Sequence, residues 1–537
     1  MLNQLTSQMK KNSIDRPALS AIVFSFCVLF SFSLSAQYID PYPISSSNGD
    51  KMLEIENYPE VVRQFEALLK EDTANIEYKF KLAKGYNNSN IDRSKALKLL
   101  KQMESLSQKP EGFEWELAMA YFKNYQFDRA KSVFENLLQN ATDEEQKEKY
   151  SKWVEQCDQS KKMFQEVVPI EFEHLGKEVN SETPDYLPVV EPNESNLLFT
   201  TKRDGVVGNL YDFKGYRPSD IYTVRHRGNK YTRARSIGSP NTYGNEQTAG
   251  RSENGQYVVY NVNSDEHYND LFISEKGRRS YMPPKIFDSE EVNQKTNELG
   301  GTLSNNGEVF YFCSDREGGE GGYDIYRVLR LPNGKWGFPK NIGPPINTSG
   351  DENYPSLMDG GKTLYFSSNG HPGMGGRDLF KAELDQTSGE WKKIQNLGYP
   401  INTVEDDLNI SFADNPKYAY IAAKREDSYG DLDIYRISFL EKDDDYTLLH
   451  GQILSSDSSI VNVDVLVEVI NTEDETLYGS YLMDKKTRRY KAILPAGKYR
   501  IEVLNTIGYQ DYTNEIKLLG KNDFQEEKRM DIVLEPQ

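Results

Sequence analysis

Cysteine, histidine and basic residues are scarce in this sequence, and each scarcity excludes a class of function. Three cysteines and five histidines among 537 residues are too few for a disulfide-built scaffold or a multi-cysteine zinc or iron–sulfur site. Acidic residues outnumber basic ones by 83 to 64, so neither nucleic acid nor an anionic bilayer surface fits as the main partner. We therefore expect no cofactor and no nucleic-acid partner. With 37% hydrophobic residues the chain can still fold, into about three domains.

Long apolar runs are absent except near the start of the chain. Basic residues precede the apolar run over 21–34, and the small residues Ser35 and Ala36 suit cleavage. The run is shorter than the roughly 20 residues that span a bilayer. We predict a secretory signal peptide over 1–36 and a mature chain without a stable transmembrane segment. Cys27 lies in mid-run and is interpreted as an apolar residue, not as a lipoprotein cysteine.

Helical periodicity dominates 51–164, after a Pro/Ser/Gly-rich linker predicted over 37–50. The apolar positions are Leu117, Ala118, Tyr121, Ala130, Phe134 and Leu137, with a similar frame upstream at Leu82, Ala83, Tyr86, Ala96 and Leu100. This spacing resembles tetratricopeptide repeats, helical hairpins that bury their faces on their neighbours. An ordinary helical bundle is the alternative. The resemblance implies a protein-binding groove around Tyr86, Tyr121 and Phe122, unless these rings only pack within the repeats.

A motif of Asp, Ile or Leu, and Tyr or Phe recurs five times in the middle of the chain, at intervals of 50, 54, 54 and 55 residues. Its members are Asp220 and Tyr222, Asp270 and Phe272, Asp324 and Tyr326, Asp378 and Phe380, and Asp433 and Tyr435. Strand-like runs precede them at 197–201, 257–261, 309–313, 363–367 and 419–423. Short strands at this period predict a β-propeller over 165–446. We count five blades, or six if 446–451 or the segment near Glu171 forms another.

The segment 174–180 repeats the tail that follows later copies of the motif, although it precedes the first full repeat. It predicts that a leading strand completes the last blade and closes the ring, which hides the edge strands. We interpret the motif Asp as structural, accepting backbone N–H bonds at the end of a loop, and the aromatic as packing between blades. The carboxylates that are candidates for Ca²⁺ ligands are Asp315, Glu317, Glu320 and Asp324. We expect no metal, because the sister loop before Asp378 lacks the other three.

The loops 314–326 and 367–380 make these repeats resemble the WD-like repeats of TolB-type propellers. That resemblance implies a fold and leaves the activity open, since propellers have many functions. The region 447–537 has an early glycine, Gly451, a Leu-Pro-Ala-Gly turn at 494–497 and alternating apolar residues. It resembles the transthyretin-like, carboxypeptidase-regulatory domain, a small antiparallel β-sandwich. The turn at 484–488 departs from that family because it has no glycine.

Catalytic motifs are missing. Gly361-Lys362-Thr363 imitates the end of a phosphate-binding loop, but it falls at a hairpin turn of a repeat and lacks the first glycine. The five histidines are scattered along the chain, and no Ser-His-Asp set can be assembled from their spacing. We therefore predict no catalytic residue and expect that the protein is not an enzyme.

The order of helical repeats, propeller and carboxypeptidase-regulatory-like domain resembles envelope proteins of the OmpA family associated with type IX secretion and gliding motility. In that family an OmpA-like domain usually follows; the sequence to Gln537 contains none, which puts direct peptidoglycan anchoring in doubt. The resemblance implies an exported interaction scaffold, periplasmic and associated with the outer membrane. Its implied partners are envelope or outer-membrane proteins, with peptidoglycan or glycan contacted only indirectly. The alternative is an exported propeller that binds a glycan or small ligand, or a hydrolase.

Overall fold

The computed structural model describes residues 42–208, 211–228, 230–278, 280–440, 446–472, 475–504, 506–518 and 527–537. The predicted signal peptide, 1–36, lies outside the described residues. Every helix in the described ranges is too short or too polar to span a bilayer. The described chain is helical first and then all β, as the periodicity predicts.

Seven helices make up the first part of the described chain. They are α1 (Ser46–Glu54), α2 (Tyr58–Glu71), α3 (Ile76–Asn87), α4 (Arg93–Lys101), α5 (Phe113–Lys123), α6 (Phe127–Gln139) and α7 (Glu144–Gln165). The linker predicted over 37–50 is wrong from Ser46 onward, because α1 begins there. The Ser45 side chain caps α1 by accepting the Asn48 N–H at 3.1 Å. Gly49 then lies so close to the Phe65 ring that a Cβ would not fit.

Five β-sheets built on one plan follow the helices. The first contains β2 (Asp185–Val190), β3 (Asn196–Thr201), β4 (Asp220–Arg227), β5 (Lys230–Tyr231) and β6 (Arg235–Ser236); the second contains β7 (Asn245–Arg251), β8 (Tyr257–Asn263), β9 (Asp270–Glu275) and β10 (Lys285–Ile286). The third contains β11 (Glu298–Leu303), β12 (Val309–Ser314), β13 (Asp324–Leu329) and β14 (Lys340–Asn341); the fourth contains β15 (Glu352–Met358), β16 (Thr363–Ser368), β17 (Asp378–Asp385) and β18 (Glu390–Asn396). Within each sheet successive strands are antiparallel. The five strand-like runs are confirmed as the second strand of each sheet.

The fifth sheet joins two distant parts of the chain. It contains β19 (Ser411–Phe412), β20 (Tyr418–Ala423), β21 (Asp433–Phe439) and β1 (Ile170–His174). β1 pairs antiparallel with β21, with His174 opposite Tyr435. The predicted leading strand is thus present, slightly earlier in the sequence than 174–180. Glu171 belongs to this fifth sheet and Tyr446 to a C-terminal sheet, so neither segment starts a further sheet of this plan.

Two C-terminal sheets complete the described chain. One contains β22 (Tyr446–Ser455), β25 (Arg489–Pro495), β28 (Glu527–Arg529) and β29 (Ile532–Leu534); the other contains β23 (Leu466–Asn471), β24 (Thr476–Leu482), β26 (Gly497–Val503) and β27 (Tyr512–Leu518). A shared core that includes Tyr490 and Tyr499 lies between them. Most strand pairs here are antiparallel, as expected of a small antiparallel sandwich, but β28 and β29 both run parallel to β22. Gly451 fits here because a Cβ would meet the Met530 carbonyl oxygen at 1.8 Å.

Candidate functional site

The repeated aspartates lie where the loop before the third strand of each sheet ends. Asp324 accepts the Glu320 N–H at 2.6 Å and an Nδ2–H of Asn341 at 3.0 Å. Asp270 instead has the His267 ring nitrogen Nδ1 at 2.9 Å. The backbone donors to the other three carboxylates are Val207 for Asp220, Met374 for Asp378 and Tyr429 for Asp433. Each aspartate therefore fixes the loop that leads into its own strand.

The motif aromatics pack on the second strand of their own sheet and against the preceding sheet. The Tyr326 ring stacks on Phe312 at 5.9 Å, and Phe380 stacks on Phe366 at 5.8 Å. Tyr222, Phe272 and Tyr435 occupy the same position in clusters that span two sheets. The burial of these rings ties neighbouring sheets together and leaves no aromatic of the motif free for a ligand.

A second fivefold feature was missed by the sequence analysis. The side-chain oxygen of Asn347 accepts the Ile325 N–H at 2.9 Å, and its Nδ2–H donates to the Ile325 carbonyl at 2.9 Å. The equivalent pairs are Asn180 with Ile434, Asn241 with Ile221, Asn293 with Leu271, and Asn402 with Leu379. The repeated Asn in the shared tail was the available signal. Its role becomes clear only from the structure, where each of these Asn side chains bonds to the backbone of the third strand. We call these residues the clamping Asn.

A buried acid opens or precedes the first strand of each sheet, five residues after each clamping Asn. These acids are Asp185, Glu246, Glu298, Glu352 and Asp407. Glu246 accepts the Thr242 N–H at 2.8 Å and the Thr242 hydroxyl at 2.5 Å. Burial raises the pKa of Glu246 to about 7 and the pKa of Glu298 to about 7. Perturbed carboxyl groups often mark active sites, but here one acid serves each sheet, and each accepts hydrogen bonds from the residues just before it in the chain.

The four Ca²⁺ candidates are used differently. Asp315 accepts the Asn297 N–H at 2.8 Å and Asp324 holds its own loop, while Glu317 and Glu320 are exposed. No three His, Cys, Asp or Glu side chains of the described ranges are grouped so that they could hold a metal ion.

The first strands of the sheets surround a cavity of about 20 Å³, which has room for one water molecule. Arg251 lines this cavity and donates to the Ser252 carbonyl at 2.7 Å and to the carbonyls of Glu253 and Phe412. Burial lowers the pKa of Arg251 to about 10. A cavity of this size does not accommodate a sugar or cofactor. A larger ligand must therefore bind outside it.

The three predicted groove residues of the helical repeats are buried. Tyr86 is 2% exposed, Tyr121 6% and Phe122 0%. The Tyr86 hydroxyl donates to the Glu66 carboxylate, and the Tyr121 hydroxyl donates to Glu104 at 3.1 Å. These rings pack within the helical layer, which is the alternative that the sequence left open. Any partner contact in this region must use the side chains around them.

The last helix lies on loops of the fourth sheet. The Ser160 hydroxyl donates to the Met374 carbonyl at 2.8 Å, and the rings of Phe164 and Tyr399 lie 4.8 Å apart. Further links are Gln156 with Gly373, Arg93 with Glu405, and Asn90 with Asp431. Met374 and Val404 are part of the helical core cluster. The helices and the sheets thus share one buried interface.

The C-terminal sheets contact the same aromatic pair. The guanidinium carbon of Arg489 lies 4.5 Å from the centre of the Phe164 ring, and the Lys491 ammonium lies 4.7 Å from the centre of Tyr399. Burial and the charges of Arg489 and Arg425 lower the pKa of Lys491 to about 8. All three regions of the described chain therefore meet at Phe164 and Tyr399.

Five further cations form two interacting groups joined by the turn at 484–488, and we call them the basic junction: Lys101, Arg129, Lys424, Lys486 and Arg488. The Lys101 ammonium and the Arg129 guanidinium lie 5.6 and 5.8 Å from the centre of the Tyr121 ring. Burial and the charges of Arg129 and Arg488 lower the pKa of Lys101. Burial, together with Lys486 and the nearby Arg93, lowers the pKa of Lys424. Cations from all three regions are thus close enough to repel one another.

Comparison with known proteins gives the fold no family name. No family model and no curated protein sequence matches this chain. Among solved structures, TolB from Acinetobacter baumannii is 14% identical over 60% of this chain and 57% of its own, with a TM-score of 0.31. A glycoside hydrolase is 10% identical over 53% of this chain and 95% of its own, with a TM-score of 0.38. An endo-arabinase from Bacteroides thetaiotaomicron is 11% identical over 51% of this chain and 99% of its own, with a TM-score of 0.31.

These comparisons correct one prediction. The expectation that the protein is not an enzyme is wrong as it stands, because enzymes such as the glycoside hydrolase and the endo-arabinase are among the similar solved structures. A lack of familiar motifs in the sequence therefore does not exclude catalysis on this fold. At these identities and TM-scores, the likenesses assign neither a reaction nor a substrate to this chain.

Proposed function

We propose that the protein binds partner proteins of the cell envelope through a surface that its three regions build together. In this proposal the helices are tetratricopeptide-type repeats and the five sheets are blades of a five-bladed propeller that β1 closes. The two C-terminal sheets form a carboxypeptidase-regulatory-like domain. The protein is exported and works in the periplasm, associated with the outer membrane. Its partners are outer-membrane or other envelope proteins of an assembly, secretion or motility machine.

One observation carries this proposal: helices, sheets and C-terminal domain meet at Phe164 and Tyr399, and cations of the three regions repel one another. Independent spacer modules on flexible connections need no such shared contact. The link through Ser160 and Met374, together with the ring contacts, supports a fixed relation between the three regions. A fixed relation lets residues that are distant in sequence act on one partner at the same time.

Site-specific crosslinking in intact cells tests the proposal. A photo-crosslinking residue replaces Lys101 in one strain and Lys486 in another, and both positions belong to the basic junction. A third strain carries it at Lys393, an exposed residue on β18 that pairs with Glu383 at 2.7 Å. We expect the same envelope proteins, identified by mass spectrometry, from the first two strains and not from the third. Recovery of the protein alone, or the same adducts from all three positions, overturns the proposal.

A further inference from the structure

The turn that distinguishes this C-terminal domain from its family places a cation in a strained backbone conformation. Arg488 has a φ of 55°, in the left-handed region that glycine adopts without cost. Asp484 shapes the turn by accepting the N–H groups of Lys486 at 2.8 Å and Thr487 at 2.9 Å. Glycine at position 488 would relieve the strain, yet this chain carries arginine there. The same conformation occurs at other non-glycine residues such as Lys393, so the strain makes Arg488→Gly a clean substitution and by itself assigns the side chain no role.

Four charges of the basic junction lack an acidic partner at ion-pair distance. Among the residues that the structure describes, the charged nitrogens of Lys101, Arg129 and Arg488 have no carboxylate oxygen within 4.0 Å, and the same holds for Lys486. The neighbouring Lys485, in contrast, pairs with Asp464 at 2.7 Å. Glu104 offsets part of the repulsion at Lys101, and Asp431 and Asp433 do so at Lys424. Because no carboxylate of the described residues lies within 4.0 Å of the other four cations, a bound anionic group would stabilise this arrangement further.

The acids that face the junction already have other partners. Glu104 accepts the Tyr121 hydroxyl, and Asp484 holds its own turn. Asp431 accepts hydrogen bonds from the Asn90 amide at 2.6 Å and from the Tyr216 hydroxyl at 3.1 Å, and Asp433 accepts the Tyr429 N–H at 2.7 Å. These carboxylates attract the cations, but their hydrogen bonds hold them in local structure, so the cations can still pair with a ligand.

We propose that the basic junction binds an acidic peptide segment of a partner protein, whose carboxylates pair with Lys101, Arg129 and Arg488. This inference rests on the proposed function and names the chemistry of the partner. Arginine binds carboxylates through paired N–H donors, and two of the three cations are arginines. An anionic membrane is the less suitable occupant, because the chain as a whole carries a net charge of −19 and is repelled by such a surface. A narrow acidic segment avoids most of that repulsion.

Fluorescence anisotropy with the purified chain tests the inference directly. The probe is a short labelled peptide of alternating Glu and Gly, and a Gln–Gly peptide of the same length is the neutral control. Arg488→Gly removes the cation and the backbone strain together, so the fold is retained. We expect this variant to bind the acidic peptide about 10-fold more weakly than the wild-type chain. Binding by the wild-type chain weakens as salt is added.

Lys393→Gly is the matched control, since Lys393 is also a cation with a positive φ, 53°, but lies on the outer strand of the fourth sheet. It should bind the peptide as the wild-type chain does. A double variant, Lys101→Gln with Arg129→Gln, should repeat the loss from the helical side. Equal binding by Arg488→Gly and Lys393→Gly overturns the inference, as does equal binding of the acidic and neutral peptides.

Two further outcomes separate this inference from the proposed function. If anionic vesicles bind and the acidic peptide does not, the junction is a membrane contact and the inference is wrong. If the peptide fails while crosslinks from positions 101 and 486 still yield the same envelope proteins, only the acidic chemistry is wrong. Loss of those site-specific crosslinks removes the proposed function itself.

Discussion

The five repeated sheets and the basic junction differ in whether their polar and charged groups have partners within the protein. In the sheets the same hydrogen bonds recur. Asn347 bonds to both the N–H and the carbonyl of Ile325, and Asp324 accepts an N–H of the loop that precedes it. At the junction, the charges of Lys101 and Arg488 repel each other, and no carboxylate oxygen of the described residues lies within 4.0 Å of their charged nitrogens. We attribute the bonds that recur in every sheet to stability of the fold. The basic junction occurs once, and we attribute it to binding of the proposed acidic peptide. Four predictions sharpen this difference, and their expected effects on stability decrease from the first to the last.

The largest effect is expected in the sheets, for Asn347→Ala. This variant leaves the buried Ile325 N–H without a partner, at a cost of about 1–3 kcal/mol. It also removes one of two donors to the Ile325 carbonyl, which keeps the Ile342 N–H at 3.1 Å. We expect the free energy of unfolding to fall by about 3 kcal/mol in urea titration. Asn333→Ala is the control, because the Asn333 side chain only accepts the Lys335 N–H in an exposed turn. Similar losses in both variants would contradict the role assigned to the clamp.

A smaller loss is expected for Asp324→Ala, about 2 kcal/mol, since the loop before β13 loses its acceptor for the Glu320 N–H. Asp324→Asn should lose less than half as much, because an amide oxygen still accepts that bond. The measurement is the melting temperature by circular dichroism, with Glu320→Ala as the exposed control. An unchanged melting temperature in Asp324→Ala counts against the structural role of the repeated aspartate.

The buried acids make the stability of the sheets depend on pH. Burial raises the pKa of Glu246 from its ordinary value of 4.5 to about 7. Between these values the folded chain holds a proton that the unfolded chain releases, so stability falls as pH rises. Relative to Glu246→Gln, the wild-type melting temperature should fall between about pH 5 and about pH 8. Glu317→Gln, at an exposed position, should follow the wild-type curve, and parallel curves for all three proteins would refute the assignment.

The smallest effect on stability is expected at the junction, for Arg488→Gly. Relief of the left-handed conformation outweighs the entropy cost of glycine, so we expect a gain of about 0.5 kcal/mol. Arg488→Ala removes the charge but keeps the strain, and therefore separates the two contributions. Both are measured by urea titration beside the peptide-binding assay. A loss of more than about 1 kcal/mol in Arg488→Gly would make Arg488 a structural residue and end the contrast with the sheets.

The sequence was most informative in the five repeats, where the same order of strand, loop and motif recurs. Each second strand was placed within one or two residues, because an apolar run followed by a polar loop and the motif of Asp, Ile or Leu, and Tyr or Phe recurs five times. The helical region was also placed well, apart from α1, whose cap at Ser45 lies inside a segment that looked like a linker. The clamping Asn was visible as a repeated letter, but its partner is on a different strand. Periodicity did not show that Tyr86, Tyr121 and Phe122 are buried, because it cannot tell whether a ring faces a partner or a neighbouring helix.

Local pattern alone determined that this chain is helical first and strand-built afterwards, since helical and strand periodicity are properties of short stretches of sequence. It also gave the spacing at which the sheets repeat, and it showed that the turn at 484–488 contains no glycine. Only the tertiary structure decided that β1 pairs with β21, and that the charges of Lys101 and Arg488 repel each other. Their separation along the chain is hundreds of residues, and which charges become neighbours depends on how folded regions pack. Electrostatic interaction depends on distance in space, and the sequence does not give that distance.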